Sequence, residues 1–283
     1  MKKNPAFNSF AIRTVSGAVI AAVVAGAVLL SPYSFLALLL AICIGGMWEF
    51  YKIASKAGAL PQAPLGMVTG VLIILLFGAG FIPSNVGVTA FDSVTVLFFV
   101  VFICELYRRK ENPLVNIAAT LTGILYVAFP LLLLGLLGME GWSRMRWGII
   151  GFIVIVWAND VGAYLVGVAF GRTRLFERIS PKKSWEGFFG GLVLAVAVGI
   201  TIGWLLEGGG GFLGKHTVFW AGLSMVVVVS GVFGDLVESM LKRSVLIKDS
   251  GGVIPGHGGF LDRFDVLLFS VPFVYLYFVI FAS

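Results

Sequence analysis

The sequence predicts an all-α protein, a polytopic bundle crossing a bilayer about nine times, and three observations carry that expectation. Of 283 residues, 59% are hydrophobic and 12% are charged, whereas a soluble domain carries about 25% charge. The mean hydropathy is +1.02, and apolar runs of roughly 20 residues, the length that spans a bilayer as a helix, recur from end to end. Lys and Arg gather at alternate loops. Helices are the required form, because hydrocarbon offers backbone N–H and C=O groups no partner outside the segment.

The runs lie at about 10–31, 33–54, 64–82, 90–107, 114–137, 147–170, 186–206, 217–240 and 264–282, parted by Gly, Pro and charged clusters. The first follows Lys2 and Lys3 and is too long for a signal-peptide core, with no convincing cleavage site, so it reads as a retained span. Cys43 and Cys104 fall inside runs two and four without ligand spacing and read as small buried hydrophobes. There is no soluble domain, low-complexity tail or fixed-period repeat. The reading is one membrane domain over 1–283, with N-terminal spans to about 140 and the polar residues concentrated in 147–282.

Charge placement orients the bundle. Lys2, Lys3 and Arg13 mark the N-terminus, and Lys52 and Lys56 follow run two. Arg108, Arg109 and Lys110 follow run four; Arg172, Arg174, Arg178, Lys182 and Lys183 follow run six; Lys242, Arg243, Lys248 and Arg263 follow run eight. Arg144, Arg146 and Lys215 are the remaining three of the 20. The positive-inside rule then places the N-terminus and the even-numbered loops in the cytoplasm, and the C-terminus outside. A pI near 9.4 would otherwise invite a nucleic-acid partner; orientation accounts for it better, and no nucleic acid is expected.

An ionisable group in a bilayer costs several kcal/mol and faces a polar cavity and a partner. Asp160 lies near the middle of run six, Asp235 and Glu238 lie in run eight, and Asp262 and Asp265 open run nine. Asp235, Glu238, Ser239 and Lys242 are spaced i, i+3, i+4, i+7 and share a helical face, as do Asp160 with Tyr164 and Asp262 with Asp265. Converging carboxylates repel, and a hard cation such as Mg²⁺, bound through carboxylates and substrate phosphates, is the usual remedy. Structural ion pairs with Lys242, Arg243 or Arg263 are the alternative.

Two basic loops read as anion sites. In ISPKKSWEG, Ser180 is expected to cap a helix starting at Pro181, with Lys182 and Lys183 in its first turn holding phosphate at the helix N-terminus; positive-inside anchoring is the plainer reading. In KDSGGVIPGHGGFLDRFD, Lys248 to Asp265, five glycines permit close backbone approach to phosphate oxygens. His257, with no second histidine nearby, suits a phosphate hydrogen bond or loop orientation better than metal ligation. Gly209, Gly211 and Gly214 spell G-x-G-x-x-G, and GGGGFLGKHT nearly makes a P-loop, but His216 stands at the Ser/Thr position and no strand–turn–helix context exists. HExxH and G-x-S-x-G signatures are absent.

The stretch SMLKRSVLIKDSGGVIPGHGGFLDRFD, Ser239 to Asp265, resembles the signature of phosphatidate cytidylyltransferases, the CDP-diacylglycerol synthases. NDVGAYLVG…FGRTRL…ISPKKSWEG, Asn159 to Gly187, is similar to the same family, so the resemblance covers roughly the C-terminal 125 residues. It implies that CTP and phosphatidic acid give CDP-diacylglycerol and pyrophosphate, in a multi-pass, Mg²⁺-dependent homodimer; with the charge bias of the loops, the expected place is the inner membrane with the active site cytoplasmic. It places metal on Asp235 and Asp262, and a second cation, K⁺, that no residue pattern here identifies. Glu238 and Asp265 then support the metal, and Lys183 joins the acids in catalysis. The phosphate candidates are Lys182, Lys183, Lys242, Arg243 and Lys248. Asn159, Asp160, Tyr164, Ser239, Asp249, His257, Gly258, Gly259 and Arg263 complete the expected substrate site. A secondary transporter would show inverted repeats, which are not apparent, and a CDP-alcohol phosphotransferase would carry D-G-x-x-A-R, which is missing. A CTP-dependent lipid kinase is the nearest rival.

Overall fold

The computed structural model describes residues 5–77, 87–137, 142–206, 214–252 and 258–281, with side chains left undescribed at 5–14, 76–77, 87–94 and 142–145. Its helices are α1 (Pro5–Leu30), α2 (Pro32–Lys56), α3 (Ala63–Phe77), α4 (Gly87–Arg108), α5 (Pro113–Gly123), α6 (Phe129–Leu136), α7 (Trp142–Phe170), α8 (Trp185–Leu206), α9 (Lys215–Ser244) and α10 (Leu261–Phe281). Two short strands, β1 (Arg174–Phe176) and β2 (Ser180–Ser184), form an antiparallel pair. Six helical stretches are long and apolar enough to cross a membrane: Pro32–Lys56, Pro113–Leu136, Arg146–Phe170, Trp185–Leu206, Lys215–Ser244 and Leu261–Phe281. Val15–Leu30 and Ala63–Leu75 are shorter apolar helices. The protein is an all-α integral membrane protein. The G-x-G-x-x-G run lies outside the described residues except for Gly214, and His257 lies outside them altogether.

The chain forms two compact units, Met1–Trp142 with Leu241–Phe264, and Ser143–Met240 with Asp265–Ser283. In the first unit, α2 begins with a capping box: Ser31 accepts from the Ser34 amide and Ser34 accepts from the Ser31 amide, with Pro32 opening the helix. Its buried face carries Leu39, Cys43 and Met47. Gly70 of α3 lies against Cys43 and Met47, and the Tyr51 ring fits against Gly66 and Gly123 while its hydroxyl donates to the Thr120 carbonyl at 2.9 Å. Between α5 and α6 the helix widens into a π turn, Ile124–Ala128, with the Phe129 amide reaching back to the Ile124 carbonyl. Pro130 follows at once; it lacks an N–H and would crowd an α-turn, and the bulge accommodates it.

The second unit is held by small residues. Gly191 of α8 meets Asn159 and Ala163 of α7, Gly187 meets Gly167, and Gly199 meets Trp220 and Ser224 of α9. Gly231 and Gly234 of α9 lie against Val266 and Phe269 of α10. Lipid is as apolar as a leucine face, so helices in a bilayer gain by close backbone approach rather than by hiding apolar area.

One local expectation is corrected. No helix starts at Pro181: Ser180–Ser184 is extended and pairs with β1, Phe176 opposite Ser180 and Arg174 opposite Ser184. The helix starts at Trp185, and the cap is Ser184, whose hydroxyl accepts from the Gly187 amide at 3.1 Å. Glu186 in the first turn accepts from the amides of Thr173 (3.1 Å) and Arg172 (3.2 Å), which ties the residues leading into β1 to the start of α8. Lys182 and Lys183 therefore stand on a strand, free of the unfavourable end of a helix dipole.

Candidate active site

The second unit gathers three carboxylates. Asp235 and Glu238 are one turn apart on α9, and Asp265 comes from the first turns of α10. One ligand oxygen from each lies within 4.8 Å of the others; Glu238 and Asp265 are buried and Asp235 half-buried. Ser239 donates to Asp235 Oδ1 at 3.2 Å, and Lys183 of β2 forms an ion pair with Asp235 Oδ2. The glycines opposite Val266 and Phe269 allow α9 and α10 to approach closely enough for the acids to meet.

Asp235 also faces a cavity of about 230 Å³ lined by Asn159, Asp160 and Tyr164 of α7, Lys182 and Lys183 of β2, and Ser184. Three separate stretches, α7, β2 and α9, thus bring polar side chains to one cavity. Asp160 and Lys182 are exposed, while Asn159 is buried.

The first unit holds a second polar constellation. Lys242 donates to Asp262 Oδ1 at 2.6 Å, and Asp262 Oδ2 accepts from the Ser250 amide at 2.9 Å and the Gly259 amide at 2.8 Å. Gly258 between them has φ +81°, a left-handed conformation that L side chains rarely adopt, and a Cβ there would strike Asp262 Oδ2. Arg243 is exposed and donates to the Ile247 carbonyl at 3.1 Å. Lys248, Asp249 and Arg263 are exposed.

A family model described as the Cytidylyltransferase family matches residues 11–281. The chain belongs to the cytidylyltransferase family. A Haemophilus influenzae phosphatidate cytidylyltransferase is 32% identical over 281 residues, 92% of this chain and 96% of the relative. One from Synechocystis is 30% identical over 302 residues, 95% and 96% of the two chains. One from Bacillus subtilis is 32% identical over 202 residues, 70% of each.

In this cytidylyltransferase the oxygen-only set of Asp235, Glu238 and Asp265 fits a hard divalent cation such as Mg²⁺, which takes carboxylates and water rather than nitrogen or sulfur. Asp262, grouped with them by its sequence motif, has both oxygens engaged by Lys242 and backbone amides.

Sequence reasoning missed two buried acids outright. Glu49, near the end of α2, is 1% exposed and accepts from the Ser250 hydroxyl at 2.7 Å and from the Phe260 and Leu261 amides at 3.0 Å each. The signal was present, since MWEFYK sets a carboxylate inside an apolar run, the same cost argument that singled out Asp160. Glu105 of α4 escaped in the same way. It accepts from Gln62 (2.8 Å), Asn116 (2.7 Å) and Arg108 (2.6 Å) and ties α4 to α5 and to the segment before α3.

Proposed function

We propose that this membrane enzyme transfers the cytidylyl group of CTP to phosphatidic acid, yielding CDP-diacylglycerol and pyrophosphate. The observation that carries this reading is the meeting of Asp235, Glu238 and Asp265 beside a cavity whose basic wall is Lys182 and Lys183. Phosphoryl chemistry between two anions needs that combination of a cation site and lysines more than it needs a nucleophilic side chain. Family membership and the names of the relatives supply the substrates.

A phosphate oxygen of the lipid attacks the α-phosphorus of CTP, a new P–O bond forms, and the bond to the bridging oxygen breaks as pyrophosphate leaves with the electron pair. No covalent enzyme intermediate is required. Lys183, paired with Asp235, is poised to exchange that carboxylate for a phosphate oxygen, and Lys182 lies beside it. Asn159, Asp160 and Tyr164 shape the cavity wall. Arg243 and Lys248 of the first unit are further phosphate candidates, and Lys242 and the Gly259 amide would each have to exchange Asp262 for a phosphate oxygen. Asp235, Glu238 and Asp265 would hold Mg²⁺, which when bound neutralises charge on the phosphates and the leaving group. A metal role for Asp262 rests on its motif and requires exchange of its present donors. K⁺ as a second ion and a homodimeric state rest on the family resemblance.

The reading includes nine crossings in the inner membrane, with the N-terminus and active site cytoplasmic and the C-terminus external, supported by the alternation of Lys and Arg among loops. The lipid substrate stays in the bilayer and CTP arrives from the cytoplasm.

The deciding assay gives purified protein CTP labelled at the α-phosphate, phosphatidic acid and Mg²⁺. Label in a CDP-lipid with release of pyrophosphate is the expected result. An unlabelled lipid fraction, in a preparation matched to an active control, would refute the reading, and label transfer only from the γ-position would favour a lipid kinase.

A further inference from the structure

The geometry points to Glu49 as a positioning residue for the reaction proposed above: a buried carboxylate on α2 that clamps both ends of the glycine-rich segment and so orients Asp262 and its neighbouring amides. The inference rests on that reaction only for its activity readout.

Glu49 Oε2 accepts from the Ser250 hydroxyl (2.7 Å) and the Leu261 amide (3.0 Å), and Oε1 accepts from the Phe260 amide (3.0 Å). Ser250 opens the segment and Phe260 and Leu261 close it, so one side chain fixes both ends. The same two ends are fixed a second time by Asp262 Oδ2 through the amides of Ser250 and Gly259. The two carboxylates thus divide the work, Asp262 from within the motif and Glu49 from a helix about 200 residues earlier, 201 positions from Ser250. Phe260 and Leu261 supply amides at the start of α10, where an amide finds no acceptor within the helix itself, and a negative group there also suits the helix dipole.

This arrangement accounts for two glycines that the phosphate reading left loosely explained. A Cβ on Gly259 would strike Glu49 Oε2 and Ser250 Oγ, and one on Gly251 would strike Glu49 Oε1. Those glycines are small because a carboxylate fills the space a side chain would need. Phe260, in turn, packs its ring onto Gly45, one helical turn before Glu49. The contact surface on α2 is therefore built for this loop, with a small residue for the ring and an acid for the amides.

Glu49→Gln keeps the shape but replaces one acceptor oxygen by an NH₂ group that opposes the donors around it. In detergent, kcat per folded enzyme at saturating CTP and phosphatidic acid is expected to fall about tenfold or more. Amide hydrogen exchange at Phe260 and Leu261 is expected to accelerate, with exchange in α5 unchanged. A merely structural residue would lower the folded fraction and leave kcat per folded molecule intact. Ser250→Ala removes one of the three bonds and serves if Glu49→Gln folds poorly; it is expected to lose activity about threefold to fivefold. Unchanged kcat per folded enzyme in both variants would overturn the proposal, as would unchanged exchange at Phe260 and Leu261. A wild-type protein inactive with CTP and phosphatidic acid would instead overturn the reading of the reaction, and the exchange experiment would still decide whether Glu49 is the clamp.

Discussion

The acids of the two units are used differently, and the difference lies in what their oxygens meet. In the first unit Glu49, Glu105 and Asp262 are ringed by donors: backbone amides, a serine hydroxyl, side-chain amides, Arg108 and Lys242. Such a carboxylate works as a fastener, because each hydrogen bond to the charged form fixes a piece of backbone or side chain. In the second unit Asp235, Glu238 and Asp265 are brought within 4.8 Å of one another. Like charges at that range repel strongly in a medium of low dielectric. Their gathering makes sense where a cation and phosphates complete the charge balance. Similar side chains at similar cost in the membrane thus act as fasteners in one unit and gather in the other into a set of oxygens that could hold a cation.

That contrast can be broken most sharply at Asp235. Asp235→Asn is expected to lower turnover by about 10²-fold or more, on the scale of removing a preorganised electrostatic group, while the protein remains folded by size-exclusion profile; near-normal turnover would remove Asp235 from the site. Asp262→Asn is expected to cost turnover on the same scale, since Asp262 orients the loop. Asp265→Asn is expected to raise the Mg²⁺ concentration for half-maximal activity about tenfold, a weakening in the range reported for lost carboxylate support; a Mg²⁺ titration with an unmoved midpoint would take Asp265 out of the cation set.

Lysines sharpen the same comparison at smaller scale. Lys183→Ala is expected to reduce kcat/KM for CTP by about tenfold, equivalent to about 1.4 kcal/mol, because it removes a charge from the cavity wall. Lys215→Ala, at the start of α9 and on the opposite side by the charge rule, is expected to stay within twofold of wild type. Equal damage from both would undo the sidedness argument. The smallest effect on activity belongs to a fastener away from the site. Glu105→Gln is expected to lower stability by about 1–3 kcal/mol, the cost of leaving buried donors without their acceptor, read as a lower thermal midpoint in detergent, with kcat per folded enzyme unchanged.

Much of this was legible in the chain. The helices follow the apolar runs because a bilayer imposes a local rule: every backbone group must be satisfied within its own segment. Asp235, Glu238 and Ser239 could be placed on one face of α9 from spacing alone, and the acid–hydroxyl contact within that stripe is present. Lys182 and Lys183 were expected in the first turn of a helix, and there the local structure was misread. Ser-Pro followed by Lys-Lys looks like a helix start until Ser184 and Glu186 offer a better one four residues on, and the strand pairing with β1 decides between them. Propensity is a weak prior when a neighbouring segment can supply the hydrogen bonds.

The site itself was only half legible, and Glu49 shows why. Its partners Phe260 and Leu261 lie 211 and 212 positions away, so no window of sequence contains both the acid and the amides it holds. By itself the sequence determined that this is a helical membrane protein, where its apolar segments lie and which stretches carry the polar chemistry, because hydropathy, helical spacing and charge bias act over a few turns. Tertiary structure alone decided which carboxylates meet each other and which meet backbone amides, because that depends on glycine faces bringing distant helices together.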